Sequence, residues 1–101
     1  MTPEQLGKVF DFYIDFLKKN GYEPIRINDL SEKLTTELFK ANKKKTLNHL
    51  YWMCWQAKEY IGTDRIEKAC RWLGFIQGCF FMLGIFSVKE LKDHNKPEES
   101  D

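Results

Sequence analysis

The segment "DRIEKACRWLGFIQGCFFMLG", residues 64–84, constrains the fold more than any other part of the chain. Set at 100° per residue, Ile66, Ala69, Cys70, Leu73, Ile76, Phe80 and Leu83 share one broad helical face, with Gln77 near its middle. Beyond Arg71 no polar side remains, because Trp72, Phe75, Cys79, Phe81 and Met82 fill the other directions. A helix that is apolar all round needs cover on every side. The uncharged run from Trp72 to Val88 reaches the lower limit of about 17 residues for a membrane span. Gln77 and the glycines at 74, 78 and 84 favour instead a helix buried in a soluble fold, with no membrane partner.

Gly74 and Gly78 lie together on the flank of this helix, beside Glu67 and Arg71. Each glycine costs about 1 kcal/mol in helix propensity, so close approach of another backbone is the expected offset. Arg71, Gly74, Gln77 and Gly78 therefore form the expected seam for helix packing or self-association. A buried amide without partners costs roughly 1–3 kcal/mol. A backbone group, His49, or the equivalent residue across a symmetry axis is expected to bond Gln77.

The other elements follow from caps and periodicity. Thr2, Pro3, the pair Lys18 and Lys19, and Gly21 bracket a first helix over 3–20, with Leu6, Val9, Phe10, Tyr13, Phe16 and Leu17 inward. "YEPIRIND" predicts an extended connector that finds no partner strand. Asp29 and Glu32 form a capping box with Asp in place of Ser, opening a second helix with Leu30, Leu34 and Leu38 inward and ending near Ala41. Thr46 caps a third helix that runs through Ile61 and is closed by Gly62; one continuous helix over 29–61 is the alternative. A fourth starts at Thr63 or Asp64 and ends near Leu83, before Gly84. Ser87 and Glu90 cap a last helix over 88–94, which Pro97 halts.

With 101 residues the chain makes one domain with a modest core, burying about 60–70% of its unfolded surface. The fold class is all-α: a compact bundle of four to five helices, the third and fourth forming a long antiparallel hairpin. A single helical domain spans 1–96, and a short flexible acidic tail spans 97–101.

The third helix turns Leu47, Leu50, Tyr51, Cys54, Ala57 and Ile61 inward, which leaves Trp52 opposite, among Asn48, His49, Gln56 and Glu59. Trp52 is surplus to the core unless another helix wraps over it. Fifteen per cent aromatic content adds to the area needing cover. His49, Trp52, Gln56, Trp72 and Phe75 are the expected partner-binding surface, for a second copy (a dimer favoured) or a different protein.

Little in the residues points to catalysis. Cys54, Cys70 and Cys79 are odd in number and are expected as reduced, inert thiols on apolar faces. His49 and His94 lie far apart, and no Cys or His pair has zinc spacing, so neither a metal nor another cofactor is expected. The glycines at 74 and 78 sit inside a helix with no strand before them, unlike a phosphate loop. Asp11, Asp15, Glu59, Asp64 and Glu67 take solvated positions, so the chain is expected not to be an enzyme. A formal charge of +1 provides no global field for nucleic acid. Lys40, Lys43, Lys44 and Lys45, joined by Arg65, Lys68 and Arg71, form the candidate phosphate-contacting set for a nucleic-acid alternative. A further alternative is a nucleotide-like ligand held between subunits near Gln77, Arg71 and His49.

Taken together, "HLYWMC", "DRIEKACRWLGFIQG" and "SVKELKDHNKP" resemble a family of small tailed-bacteriophage proteins with no assigned activity. In that family, His-Leu-x-Trp-Met-Cys precedes Lys-Ala-x-Arg-Trp-Leu-Gly-Phe-x-Gln-Gly and a terminal Glu-Leu-Lys-x-x-Asn. The resemblance covers His49 to Pro97, and its motifs fall here on His49, Trp52, Arg71, Trp72, Gly74 and Gln77. It implies a phage accessory protein acting in the host cytoplasm early in infection. The expected role is non-enzymatic: a helical interaction module for a host factor or phage complex.

Overall fold

The structure, a computed structural model, describes residues 1–33 and 39–97, with side chains over 1–33 and 42–97. Its first helix, α1 (Pro3–Lys19), begins where the sequence places a cap. The Thr2 hydroxyl accepts from the Gln5 N–H at 3.1 Å, and the Gln5 Oε1 accepts from the Thr2 N–H at 2.9 Å. Gly21, at φ 84°, ends it by letting the Tyr22 N–H reach the Leu17 carbonyl at 3.0 Å. Leu6, Val9, Phe10, Tyr13, Ile14 and Leu17 are buried, while Phe16 packs beside them only half-buried.

The connector after α1 is held against the next helix rather than by a sheet; no strand occurs among the described residues. The Glu23 N–H donates to the Asn48 Oδ1 (2.9 Å), the Ile25 N–H to the Asn48 carbonyl (3.2 Å), and the Ile27 N–H to His49 Nδ1 (3.0 Å). Asn48, expected on the outer side, is buried because it serves this connector.

No helix opens at Asp29. Its Oδ1 accepts from the Ser31 N–H (3.0 Å) and hydroxyl (2.6 Å), and Glu32 pairs with Lys45 at 2.7 Å instead of folding back on a cap. Local side-chain bonding of this kind competes with helix. Leu30 is correspondingly 74% exposed. The expected inward Leu34 and Leu38 lie outside the described residues.

The next helix, α2 (Phe39–Gly62), runs straight through "NKKKT". Lysine is a good helix former, so the charged run does not break the element. Thr46 is thus an interior residue, not a cap: it is buried, and its hydroxyl has no hydrogen-bond partner among the described residues. Nor does Gly62 take the left-handed closing position. That falls to Asp64, at φ 63°, with the Arg65 N–H reaching the Tyr60 carbonyl at 2.7 Å. Asp tolerates this region because its short polar side chain bonds locally. The Thr63 hydroxyl donates back to the Glu59 and Tyr60 carbonyls, which makes it a closing residue of α2 and not an opening one.

Helix α3 (Ile66–Met82) follows, with Arg65 at its N-cap and no side-chain cap bond. Gly84, at φ 72°, closes it: the Ile85 N–H meets the Phe80 carbonyl at 2.9 Å and the Gly84 N–H the Phe81 carbonyl at 3.0 Å. Ser87 and Glu90 then form the reciprocal box that opens α4 (Val88–His94). Among the described residues there are four helices.

Helix α2 packs along both α1 and α3, which meet each other mainly where Tyr13 and Phe16 reach Phe80 and Gln77. One continuous core results, containing Phe10, Tyr13, Leu47, Leu50, Cys54, Ala57, Ala69, Ile76 and Phe80 at 0–1% exposure. Burial of each large apolar member stabilises by about 1.5–3 kcal/mol against leaving it exposed. The inward face of α3 is narrower than its sequence suggests. Ala69, Leu73, Ile76 and Phe80 are buried, Ile66 and Leu83 are half-covered, and Cys70 is exposed. The acidic tail beyond Pro97 lies outside the described residues.

Candidate interaction surfaces

The side of α3 facing away from the core is apolar and open. At 100° per residue Phe81, Gly74, Gly78, Arg71, Met82 and Phe75 span about 120° centred opposite the buried face. Phe75 is 56% exposed, Phe81 50% and Met82 77%. A Cβ placed on Gly74 or Gly78 would meet nothing within 4 Å, so none of the described elements packs onto them. The two glycines form the floor of a shallow groove, with Phe81 on one wall and Phe75 and Met82 on the other. Of the expected seam, Arg71, Gly74 and Gly78 share this face.

Gln77 does not. It lies on the α1 and α4 side, half-buried, and its partners differ from all three expected ones. Its Nε2 donates to Tyr13 Oη at 2.9 Å and to Asn95 Oδ1 at 2.8 Å, while its Oε1 accepts from Asn95 Nδ2 at 3.1 Å. Tyr13 Oη continues the chain to His94 Nδ1 at 2.8 Å. Phe12 and Phe86 flank the His94 ring, each with its centroid 4.7 Å away. Burial pushes the Tyr13 phenol up to about 12, outweighing the Gln77 hydrogen bond that pulls it down. The sequence marked Gln77 for partners but missed Tyr13, His94 and Asn95. The polar "HN" one helical turn after the buried Leu91 is the signal that was there to use.

His49, Trp52 and Trp72 of the expected partner surface do come together, and all three are half-buried. His49 stacks on Trp52 (centroids 5.6 Å, 24° between planes), Trp52 leans on Trp72 (6.1 Å), and Trp72 meets Tyr60 edge-on (5.1 Å). The connector supplies cover that the sequence did not foresee, with the Arg26 guanidinium 5.2 Å over Trp52. At the other end Arg65 and Lys68 lie over Tyr60, at 5.2 and 4.4 Å. Burial, then Arg26, hold His49 below its ordinary range. Gln56 is turned to Glu59 at 3.0 Å, and Phe75 belongs with the glycine groove. His49 belongs to the ring ladder and Gln77 to the Tyr13 relay, and the two share no partner among the described residues.

Of the basic run, Lys45 is taken up by Glu32, Lys44 is exposed and Lys43 half-buried on α2, and the Lys40 side chain is outside the described atoms. Among the described residues no cluster of three or more His, Cys, Asp or Glu could hold a metal ion. Cys54 is buried and its thiol is pushed up to about 12; burial also raises Cys79, whereas Cys70 faces solvent. No described helix is long and apolar enough to cross a membrane. Compared with protein-family models, with curated proteins and with solved structures, the chain finds no match in any of the three.

Proposed function

We propose that this chain is a non-enzymatic helical interaction module that pairs with a second copy through the outer face of α3. The carrying observation is the glycine groove between exposed Phe81 and exposed Phe75 and Met82. Such a face offers a ridge and a groove at once, so the same patch on another copy complements it about a twofold axis. Large apolar side chains gathered on one stripe mark an interaction site more strongly than scattered ones do. Taken with an antiparallel pairing of α2 and α3, the dimer joins two hairpins back to back. One helix face makes a small interface, below about 1,200 Å², which places the affinity in the weak, exchangeable class.

The resemblance of His49 to Pro97 to a tailed-phage family supports the wider role: an accessory protein in the host cytoplasm that presents its surfaces to a host factor or phage complex. Light scattering across a concentration series tests the pairing. The wild type rises from monomer mass towards dimer mass with concentration, and Phe75→Glu with Met82→Glu stays monomeric while keeping its helical circular dichroism. A wild type fixed at monomer mass throughout overturns self-pairing.

A further inference from the structure

The ring ladder on α2 and α3 is a separate surface, adjacent to the glycine groove but facing about 90° around α3. We infer that it is a binding site for single-stranded nucleic acid, with Trp52, Trp72 and Tyr60 as stacking rings and Arg26, Arg65 and Lys68 as phosphate contacts.

Three observations carry this. First, the rings are contiguous: His49, Trp52 and Tyr60 recur along one side of α2, and Trp72 fills the gap from α3. The eleven positions from His49 to Tyr60 rise about 16 Å, the length for the short end of single-strand site sizes, roughly four nucleotides. Second, the cations sit at both ends, Arg26 over Trp52 and Arg65 and Lys68 over Tyr60, with Lys68 also 5.8 Å from Trp72. Among the described residues none of the three is ion-paired, in contrast to Lys19, Lys45, Lys58 and Lys96, which each hold a carboxylate. Third, a hollow of about 370 Å³ opens beside Arg65 and Lys68 and is also lined by Arg71, which adds a further exposed guanidinium.

The cations stand over the ring faces, so each base stacks as its phosphate draws the guanidinium or ammonium aside from the ring. A duplex hides its base faces, whereas a single strand offers them to half-exposed rings. An acidic peptide could use the cations but gains little from a row of aromatic faces. Asp64 and Glu67 line the same hollow, and Glu59 stands nearby, so the charge surplus is small and the affinity modest.

Tryptophan emission reads the site directly, because Trp52 and Trp72 belong to the ladder while Trp55 sits apart beside Lys58. Titration with a fifteen-nucleotide oligothymidylate quenches the wild type and, equally, Trp55→Phe. With about three phosphates neutralised, affinity falls about 20-fold between 50 and 200 mM salt. Arg65→Glu with Lys68→Glu, both on the surface and checked for helix content, abolishes the quench, and Lys44→Glu leaves it unchanged. Absence of quenching by the oligonucleotide at 50 mM salt overturns the proposal. So does equal binding by the Arg65→Glu, Lys68→Glu protein, and so does a polyglutamate chain binding as tightly as the oligonucleotide. None of these outcomes touches the α3 groove, whose test is mass and not emission.

Discussion

Tyr13 and His94 stand 81 positions apart in the chain, yet Tyr13 Oη and His94 Nδ1 lie 2.8 Å from each other. The same oxygen accepts from Gln77 Nε2 at 2.9 Å, so Tyr13 Oη joins both side chains. Through Gln77 and Asn95 this one relay fastens α1, α3 and the end of α4 together.

Tyr13→Phe keeps the ring that packs 4.8 Å from Phe80 but removes the oxygen that Gln77 and His94 share. Leaving those two groups short of a partner costs about 1–3 kcal/mol. For a chain of this size each kcal/mol lowers Tm by about 4–8 °C. Thermal unfolding followed at 222 nm checks it, and an unchanged Tm would show that the relay adds no stability.

Stability falls as pH drops from 7 to about 5.5. Burial holds His94 below its ordinary range, against the opposite pull of Glu90 and Asp93, and burial with Arg26 does the same to His49. The folded chain therefore takes up protons less readily than the unfolded one, whose histidines titrate near 6.5. The full contribution is present above that value and is lost below it. Asp29, Glu90 and Asp93 are also lowered, by bonds to Ser31, Ser87 and Lys96, but they give up their share only at more acid pH. Urea midpoints at pH 7.5 and 5.5 measure the slope, and His94→Asn makes it shallower.

Most of this architecture was legible where one local rule acts alone. Thr2 with Pro3, Gly21, Gly84, and Ser87 with Glu90 each fix an end through their own backbone and side-chain bonds, and each stands where the sequence placed it. The failures share a different cause. Asp29 and Thr46 have cap chemistry, but Asp29 spends its carboxylate on Ser31, and Thr46 lies about two turns inside a helix that its lysines sustain. The exposed residues of α3 were legible as surplus apolar area. What covers Trp52 was not, because the connector's attachment to Asn48 and His49 depends on contacts 22–25 positions apart.

Thr46→Val stabilises the protein. The threonine hydroxyl is buried with no partner, whereas valine keeps the branched shape and presents a methyl group in its place. Removing an unsatisfied buried polar atom at constant volume is worth about 1 kcal/mol, a rise of several degrees in Tm. A lower Tm for the valine variant would mean that the hydroxyl is bonded in solution.

The three cysteines react in a fixed order. Cys70 faces solvent on α3, Cys79 is half-buried with a thiol raised by burial, and Cys54 is fully enclosed with its thiol pushed up to about 12. Thiolate is the reacting form, so burial slows Cys79 and Cys54 through both access and ionisation, while Cys70 leads on access. Iodoacetamide at pH 8, followed by mass spectrometry of peptides, labels Cys70 first and Cys79 slowly. Cys54 is labelled only at the rate at which the core opens, and its modification therefore accelerates in step with unfolding as urea is added. Because Cys70 stands one turn before Gly74 and about 20° around the helix from Phe81, at the edge of the glycine groove, its labelling slows at the concentrations at which copies pair. A Cys70 rate indifferent to concentration would place the contact between copies away from this face.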